Sequence, residues 1–525
     1  MLCGIINSQG LVVPYNDLLA RCGNKMDFRK ILKSFTIIEK TKSKPKGAPL
    51  LIKYAYIQQK NIIIFPRIKA PIFLKCKLID EIKIEFEIIP RTIDKYTENV
   101  ELYGYQKDII DYVVKNMNKG ICYLQMDTGL GKSRVGCAII NHFGYAAMVV
   151  VPTIAIGIQW IEEYKILYPT SPIVFYQNSK KKLDINKYDT VIVVINTFCK
   201  KTVDFLDGFG TLIFDEAHEY YTTCNSKALW LAHTKIVLGL SATPLERPDG
   251  LDKYITLHLG QPIYANKVVD ISEVNFIGSV KSVWYYGDSK YTSTVVNEKG
   301  IISTILTINN IIQDPLRIKV IVQEAKRLYE KGHGIFIFAE HRNFLDILKN
   351  HLLDYNVVIE DECVEELKPI HNTDSEPVHS TEPDISILKG GISKQELLDT
   401  KNKGAHIILT TYGYSRRGIS ITEMTSLIMA SPRRNGIKQI IGRIFRRGSD
   451  ESIIREIIDI IDTRSILKNQ YYDRKKIYME RKYNIDNEYI RHEHIDSDEE
   501  SSNGSDLNTY DLNKIHCILN NIGII

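Results

Sequence analysis

The sequence predicts an α/β protein, with two parallel-sheet domains in tandem behind a β-rich N-terminal domain. In two stretches of the chain, short apolar runs alternate with segments of helical character, the rhythm of parallel strands joined by helices. In the first 95 residues, apolar and polar residues instead alternate one by one, a period typical of strands with one exposed face. With 525 residues, the chain is too long for a single hydrophobic core.

These patterns divide the chain into four expected parts. We predict a β-rich accessory domain at residues 1–95, α/β domains at 96–262 and 263–470, and a C-terminal extension at 471–525. In the first part, Ile82, Ile84, Phe86 and Ile88 alternate with charged residues and predict a strand. Two apolar stretches flank a short polar turn and predict a hairpin, namely Leu50–Tyr56 and Ile62–Phe65.

The predicted sheets rest on ten apolar runs. Those of the first sheet are Ile121–Met126, Ala147–Val151, Val191–Ile195, Leu212–Phe214 and Ile236–Leu240. Those of the second sheet are Ile335–Phe338, Ile385–Leu388, Ile407–Leu409, Leu427–Ala430 and Ile457–Ile461. Two such sheets side by side leave a cleft faced by the carboxyl ends of their strands.

Two acidic stretches interrupt this organisation. Glu360–Asp384 holds nine acids and three prolines, which predicts a solvated surface loop. His494–Leu507 is acidic and Ser-rich, which predicts a disordered segment within the C-terminal extension.

Composition bounds the compartment and the partners. The nine cysteines form no CxxC pair, so the sequence predicts neither a zinc site nor a disulfide framework and fits a reducing compartment. The first residues lack the features of a signal peptide, and no apolar run reaches the length of a membrane span, so we expect neither secretion nor a membrane partner. The net charge of +5 is compatible with an anionic partner.

Residues 125–133 read Gln-Met-Asp-Thr-Gly-Leu-Gly-Lys-Ser and predict a phosphate-binding loop between a strand and a helix. Backbone N–H groups are expected to surround a polyphosphate, with a Lys cation on its outer phosphates and a Ser hydroxyl on Mg²⁺. The residues predicted to bind ATP here are Thr128, Gly129, Leu130, Gly131, Lys132 and Ser133. Met126 stands where the strict motif has Gly.

A second box, Asp215-Glu216-Ala217-His218, follows Lys132 by 83 residues. Asp215 is the predicted second protein ligand of Mg²⁺, and Glu216 is predicted to orient and deprotonate the attacking water. The two boxes at this spacing predict hydrolysis of a nucleoside triphosphate.

Gln106 precedes the phosphate loop by the length of one helix. Its amide is predicted to meet the edge of adenine, with Tyr103 or Tyr105 stacking on the base. A solvent-facing Gln at the start of a helix is the alternative for this residue.

Small hydroxyl residues follow several predicted strands on the same side of the sheets. Pro152, Thr153 and Thr197 are predicted to bind a nucleic-acid backbone without reading its sequence. Ser241 and Thr243 are predicted to couple the His218 side of the site to that groove.

Gln439–Arg446 reads Gln-Ile-Ile-Gly-Arg-Ile-Phe-Arg and is predicted to be helical. Arg443 and Arg446, three residues apart, would then share one helix face and reach the γ-phosphate across the cleft. A basic surface helix is the alternative.

In their order along the chain, these motifs resemble those of superfamily 2 helicases, over about residues 100–465. More narrowly, the chain resembles the helicases of large cytoplasmic DNA viruses, of the poxvirus transcript-release type and, more closely, of the African swine fever virus type. The stretches that carry the superfamily 2 resemblance are Gln106, 128–133, Pro152-Thr153, Asp215–His218, Ser241–Thr243, Thr411–Gly418 and Gln439–Arg446. Those that carry the viral resemblance are Asn196-Thr197, Leu238–Pro244, Thr411–Tyr414 and Ser431–Asn435.

The resemblance implies two RecA-like motor domains that use ATP and Mg²⁺ to move along DNA or RNA. It implies catalytic roles for Lys132, Asp215, Glu216 and Gln439 besides the two arginines. It also implies that Thr411 contacts nucleic acid and that Gly418 contacts the nucleotide. Viral transcription is the implied process, with a viral RNA polymerase or transcription factors as partners. The implied location is the host cytoplasm, in the viral factory, or the virion.

Two alternative functions stay open from the sequence. One is a double-stranded DNA translocase that never separates strands, and the other is a non-catalytic scaffold that binds nucleic acid. The choice between DNA and RNA stays open as well.

A basic stretch lies in the N-terminal part. From Arg21 to Lys53 there are ten Lys or Arg and two acids, a net charge of +8. Within it, Lys40, Lys42, Lys44 and Lys46 are spaced two apart and predict an extended cationic loop that meets successive phosphates. A solvated loop that aids solubility is the alternative.

Overall fold

The computed structural model describes most of the chain, with gaps. The described residues are 1–40, 50–85, 89–117, 120–177, 183–245, 249–270, 277–354, 383–389, 400, 404–415, 421, 423–445 and 452–491. Across these residues the strands form one mixed sheet, two parallel sheets and a small two-stranded ribbon.

The N-terminal region forms the mixed sheet and the ribbon. Its elements are β1 (Cys3–Asn7), β2 (Gly10–Pro14), α1 (Tyr15–Arg21), α2 (Lys25–Ser34), β3 (Thr36–Ile38), β4 (Ile52–Tyr54), β5 (Ile57–Gln58), β6 (Ile62–Phe65), α3 (Ala70–Lys75) and β7 (Glu81–Ile84). The sheet order is β5-β6-β2-β1-β7, and β3 pairs with β4 in the ribbon. β1 runs antiparallel to β2 and parallel to β7.

The first parallel sheet follows. Its elements are α4 (Gly104–Asn116), β8 (Ile121–Gln125), α5 (Lys132–Phe143), β9 (Ala147–Val151), α6 (Ile154–Leu167), β10 (Ile173–Tyr176), β11 (Thr190–Val194), α7 (Ile195–Phe198), β12 (Thr211–Phe214), α8 (Lys227–Trp230), β13 (Ile236–Ser241), α9 (Lys253–Leu259) and β14 (Pro262–Tyr264). The strand order is β10-β11-β9-β12-β13-β8-β14, and every pair is parallel. The inner strands are almost entirely buried, because helices cover both faces.

The second parallel sheet has the same design. Its elements are β15 (Gly278–Tyr286), α10 (Ser289–Thr292), α11 (Thr304–Ile311), α12 (Pro315–Glu330), β16 (Gly334–Ala339), α13 (Arg342–Asp354), β17 (Ile385–Leu388), β18 (Ile407–Thr411), α14 (Tyr412–Ser415), β19 (Met424–Met429), α15 (Ile437–Ile441), β20 (Arg455–Asp462), α16 (Lys468–Glu480) and β21 (Asn484–Arg491). The order is β17-β18-β16-β19-β20-β15-β21, again with parallel pairs.

The predicted fold class is confirmed: two tandem RecA-like parallel-sheet domains follow a β-rich N-terminal region. Each of the ten apolar runs falls on a strand. Among the strands that the runs missed, β15 and β21 mix apolar with polar residues, while β10 and β14 are short strands at the edges of the first parallel sheet. One buried apolar cluster joins the N-terminal sheet to a face of the first parallel sheet, so these two regions share a core.

Two local expectations were wrong. The predicted hairpin of Leu50–Tyr56 with Ile62–Phe65 does not form, because β4 pairs with β3 while β6 pairs with β5 and β2. The strand β21 pairs with β15 in the second sheet, and the helix α16 leads into it. The prediction had placed everything after residue 470 in an extension. The rest of the four-part division stays a prediction.

Several expectations fall on residues outside the described ranges. These are Phe86, Ile88, Lys42, Lys44, Lys46, most of the acidic stretch at 360–384 and the segment at 494–507. Among the described helices, none has the length and apolar content that crossing a bilayer requires.

Candidate nucleotide site between the two parallel sheets

The phosphate loop connects β8 to α5 at the carboxyl edge of the first sheet. Gly129 and Gly131 adopt positive φ angles of 94° and 80°, which favour glycine. Gly131 caps the N-terminus of α5, so the first-turn N–H groups and the positive end of the helix dipole point into the loop. The Nζ of Lys132 lies 3.4 Å from the carbonyl oxygen of Met126. The loop thus has the backbone geometry of an anion site.

The Met126 side chain is fully buried, and its N–H donates to the carbonyl of Ser241 at 3.0 Å. The residue that departs from the strict motif therefore belongs to the core beneath the loop and does not line the anion site.

Gln106 supports the phosphate loop from the start of α4. Its side chain is 1% exposed, and its Nε2 donates to the carbonyl of Leu130 at 3.0 Å. The Tyr105 hydroxyl donates to the same carbonyl at 3.1 Å. This burial excludes the solvent-facing alternative for Gln106. The contact with adenine stays a prediction.

A cavity of about 790 Å³ lies against the outer face of α4. Tyr103 and Tyr105 line it, and their rings are stacked with centroids 5.8 Å apart. An aromatic wall of this kind is suited to a base ring.

Asp215 and Glu216 follow β12, two strands from β8 in the sheet. Asp215 is buried, and its two carboxylate oxygens accept from the indole N–H of Trp160 at 2.7 Å and from the N–H of Glu216 at 2.9 Å. Glu216 has a left-handed backbone (φ 46°, ψ 48°), which is strained for a residue with a side chain. Its Oε2 is buried and lies 3.3 Å from Nδ1 of His218.

The pKa values of the two carboxylates are shifted in opposite directions. Burial raises the pKa of Asp215 to about 6, and the neighbouring charge of Glu216 adds to the effect. Burial also disfavours the charged form of Glu216, but the charge of Lys132 and the nearby His218 outweigh it and lower the pKa of Glu216 to about 2. Lys132 and Glu216, which are far apart in sequence, therefore share one electrostatic site.

The predicted coupling residues meet around one hydroxyl. The Oγ of Ser241 lies 3.0 Å from Nδ1 of His218 and accepts from the N–H of Thr243 at 3.0 Å. Gln125 adds a link from β8, because its Nε2 donates to the carbonyl of Ala242 at 3.0 Å. The phosphate loop, the Asp215 box and the Ser241–Thr243 segment are thus joined by hydrogen bonds.

The predicted nucleic-acid contacts lie along the same edge. Pro152 and Thr153 follow β9, and Thr197 lies in the helix that follows the adjacent strand β11. The Oγ1 of Thr153 also caps α6 by accepting from the N–H of Ile156 at 3.3 Å. On the second sheet, the buried Thr411 ends β18, and its Oγ1 accepts from the N–H of Tyr414 at 3.2 Å.

A turn of the second domain reaches the phosphate loop. A Cβ built on Gly442 would come within 2.5 Å of Thr128, and one on Gly129 within 2.3 Å of the Phe445 carbonyl oxygen. Glycine at both positions lets the two backbones approach this closely. Arg455 holds the turn from behind, because its buried Nε donates to the Ile444 carbonyl at 2.9 Å.

Arg443 lies in this turn and is 8% exposed. Burial lowers the pKa of Arg443 to about 10, while the charge of Glu216 across the cleft opposes the shift. The helix predicted for Gln439–Arg446 ends at Ile441, and i→i−3 hydrogen bonds of Arg443 and Ile444 continue it as turns. Gln439 is half-buried on α15. Arg446 and Gly418 lie outside the described residues.

Sequence reasoning missed three contributors to this site. Trp160 holds Asp215, as described above. Asp127 of the phosphate loop accepts from Gln125 at 2.8 Å and forms an ion pair with Arg481 at 3.4 Å. Arg481 follows α16 in the second domain, 354 residues away, so no local motif could have revealed the pair.

Comparison with known proteins agrees with this geometry. The family model described as "Type III restriction enzyme, res subunit" matches residues 99–246. A protein of African swine fever virus, named as an ATP-dependent RNA helicase, is 36% identical over 504 residues, covering 92% of this chain and 91% of the relative. The chain belongs to the superfamily 2 helicases. It is an ATP-hydrolysing helicase of the viral branch that includes the African swine fever virus protein.

Two further relatives extend the comparison of this helicase. A protein of Acanthamoeba polyphaga mimivirus, also named as an ATP-dependent RNA helicase, is 23% identical over 74% of this chain and 70% of its own length. A DNA 3′–5′ translocase of Sulfurisphaera tokodaii is 29% identical over 37% of this chain and 42% of its own length.

Proposed function

We propose that this helicase binds ATP with Mg²⁺ between its two parallel-sheet domains and couples hydrolysis to movement along a nucleic-acid strand in viral transcription. The observation that carries the proposal is the contact between the phosphate loop and the turn at 442–445. There the buried Arg443 is close enough to Glu216 for their charges to interact. A turn in this place connects the state of the nucleotide to the position of the second domain.

Hydrolysis is assigned to residues of both domains. Lys132 and the loop N–H groups hold the β- and γ-phosphates, and the Glu216 carboxylate accepts a proton from the attacking water. Arg443 stabilises the charge that develops on the γ-phosphoryl oxygens. Arg446 is assigned the same function from the sequence, Gln439 is assigned a catalytic role, and Gly418 is assigned to binding of the nucleotide.

The oxygen donors of the site fit Mg²⁺. Mg²⁺ takes few protein oxygen ligands and completes its shell with phosphates and water. The Asp215 carboxylate and the Ser133 hydroxyl supply two such ligands. Among the residues that the structure describes there is no cluster of three or more His, Cys, Asp or Glu side chains, and this mode of binding does not need one. A bound Mg²⁺ would neutralise phosphate charge.

Coupling to nucleic acid runs through the hydrogen bonds of Ser241. A shift of His218 during hydrolysis moves Ser241 and Thr243 beside the groove formed by Pro152, Thr153 and Thr197. Thr411 offers a matching grip on the second domain. Alternating grips on the backbone advance the protein with strong salt dependence and little sequence preference.

The relatives bear on the substrate in two ways. Two viral relatives that cover most of the chain are named as RNA helicases, which supports RNA as the strand. The archaeal match is named as a DNA translocase, which keeps a second candidate function under test, namely translocation on double-stranded DNA without strand separation. The proposal places the protein in the host cytoplasm, at the viral factory or in the virion, beside viral RNA polymerase or transcription factors.

Phosphate release tests the proposal most directly. We expect ATP hydrolysis to rise when RNA or single-stranded DNA is added, and the stronger activator identifies the strand. Displacement of a labelled strand from a duplex, compared with displacement of a triplex-forming strand, separates the two candidates. Hydrolysis that no nucleic acid stimulates would contradict the motor function.

A further inference from the structure

The ribbon of β3 and β4 has an inverted face. On β4 the cation points inward, since Lys53 is 7% exposed, donates to the Ser226 hydroxyl at 3.1 Å and lies over the Tyr254 ring at 5.1 Å. Its strand neighbours Ile52 and Tyr54 point outward and are 44% and 52% exposed. Buried Lys and exposed aromatic residues reverse the usual preference, so the outer face is a candidate for binding.

The apolar face continues across the ribbon. Ile38 pairs with Ile52 and is 51% exposed, and Thr36 pairs with Tyr54. The Thr36 hydroxyl donates to the Leu32 carbonyl of α2 at 2.8 Å. The outer face of the ribbon therefore adjoins the last turn of α2.

Helix α2, whose last turn adjoins this face, carries a row of cations. Lys25, Arg29 and Lys33 are spaced four apart and exposed, and within the described residues none of them forms an ion pair. Lys30 on the next row is neutralised by Asp27 at 2.8 Å. The basic row and the apolar face together form what we name the ribbon surface: Lys25, Arg29, Lys33, Ile38, Ile52 and Tyr54.

The ribbon surface lies near the motor edge of the first sheet. The N–H of Lys40, two residues after β3, donates to the carbonyl of Asp249 at 3.0 Å. Asp249 follows Thr243 by six residues, so the two lie at most about 20 Å apart along an extended chain. A strand leaving the groove beside Thr243 needs only a few nucleotides to reach the ribbon.

We propose that the ribbon surface binds single-stranded nucleic acid outside the motor cleft, with bases stacked on Tyr54 and phosphates on the α2 cations. Exposed aromatic residues flanked by cations are the two elements of strand binding without sequence preference. The positive charge of the α2 row favours a polyanion over an apolar protein segment. This inference rests on the proposed function, since it extends the path of the same strand.

Binding of the full-length protein to a fluorescent oligo(dT) tests the aromatic part. We expect Tyr54→Ala to weaken binding about tenfold, the effect of losing one stacked base, and Tyr54→Phe to bind like wild type. An abasic oligonucleotide of the same length should bind both variants equally, because it offers no base to stack.

Salt dependence tests the cationic part. The Arg29→Gln/Lys33→Gln variant should lower the slope of log affinity against log salt by about 1.4, if each cation meets one phosphate of a single strand. Lys319→Gln/Lys326→Gln on the exposed face of α12 removes the same charge elsewhere and should leave the slope unchanged. Thermal unfolding at the wild-type temperature shows that each variant is folded.

The outcomes separate this inference from the proposed function. Wild-type affinity and slope in both ribbon variants would overturn the inference and assign the surface to another partner, even if nucleic acid stimulates hydrolysis. Conversely, if nucleic acid does not stimulate ATP hydrolysis by the wild-type protein, the motor function is contradicted. Weaker binding of oligo(dT) to the Tyr54→Ala variant would still support the ribbon surface.

Discussion

In the first parallel sheet, charged groups are concentrated at the carboxyl edge, where Asp215 and Glu216 face Lys132. The second domain instead buries ion pairs between the strand β20 and the helices α12 and α16. Arg474 meets Asp459 with two hydrogen bonds of 2.8 Å, and Arg317 meets Asp462 at 3.3 Å, all four side chains being at most 1% exposed.

This difference indicates a division of labour. In the second domain these four buried charges are paired within the domain, and the pairs hold β20 against the helices around it. Arg455, on the same strand, then holds the turn that carries Arg443. The first domain keeps strained and mutually repelling groups at its edge, as expected of residues retained for chemistry.

Breaking a buried pair of the second domain should give the largest effect. Arg474→Ala leaves Asp459 buried without its cation and should lower the free energy of unfolding by about 3–5 kcal/mol. Arg434→Ala is the matched control, because Arg434 pairs with Asp473 at the same 2.8 Å but on the surface, where a pair contributes about 1 kcal/mol or less. Urea denaturation of both variants checks this. Equal losses would refute a structural role specific to the buried pair.

Replacing catalytic residues of the first domain should leave the free energy of unfolding nearly unchanged and abolish most ATP hydrolysis. Lys132→Ala and Glu216→Gln should each lower kcat for ATP hydrolysis at least about 100-fold, through loss of a phosphate contact and of the base. Glu216→Gln should still bind ATP. Lys165→Ala on the exposed face of α6 is the control. Near-normal turnover in either active-site variant would remove that residue from the mechanism.

The fold was largely predictable from the sequence, because every inner strand of the two parallel sheets except β15 carries one of the apolar runs. The pairing of the ribbon was not predictable, because the apolar content of Leu50–Tyr56 is compatible with pairing to β3 and equally with pairing to β6. β21 was missed since only three of its eight residues, Ile485, Tyr489 and Ile490, are apolar, a weak signal beside the central strands.

The candidate site was predictable where its residues are adjacent in sequence. The phosphate loop, the Asp215 box and the Ser241–Thr243 segment are local motifs, and the structure brings them together. Trp160 and Arg481 act through contacts 55 and 354 residues away, which depend on how helices pack. α15 ends at Ile441, next to the close approach of Gly442 to Thr128, which is another contact between domains.

The raised pKa of Asp215 predicts a smaller effect, which is a dependence of stability on pH. Its pKa in the folded protein, about 6, exceeds its ordinary value of 3.8, so folding is favoured below about pH 4 and this contribution is lost as pH rises through 6. The unfolding temperature of Asp215→Asn minus that of wild type should therefore be larger at pH 7.5 than at pH 5, in EDTA without nucleotide. The Glu216 transition, near pH 2–4.5, lies outside this window. A difference independent of pH would contradict the shift.

The ion pair between Asp127 and Arg481 should give the smallest effect. Because the pair is partly exposed, its loss should raise KM for ATP by no more than about fivefold. Asp127→Asn, Arg481→Gln and the double variant form a cycle, and we expect the double variant to resemble either single one. Fully additive changes in KM would show that the two residues act independently.

The central claim is that the second domain supplies a catalytic arginine to the first. The direct measurement compares Arg443→Ala with wild type in ATP hydrolysis, ATP binding and nucleotide-free affinity for nucleic acid. We predict a loss of at least about 100-fold in kcat, as for other cross-cleft arginines, with both affinities nearly unchanged. Normal hydrolysis combined with weak nucleic-acid binding would contradict the claim and make Arg443 a contact of the groove.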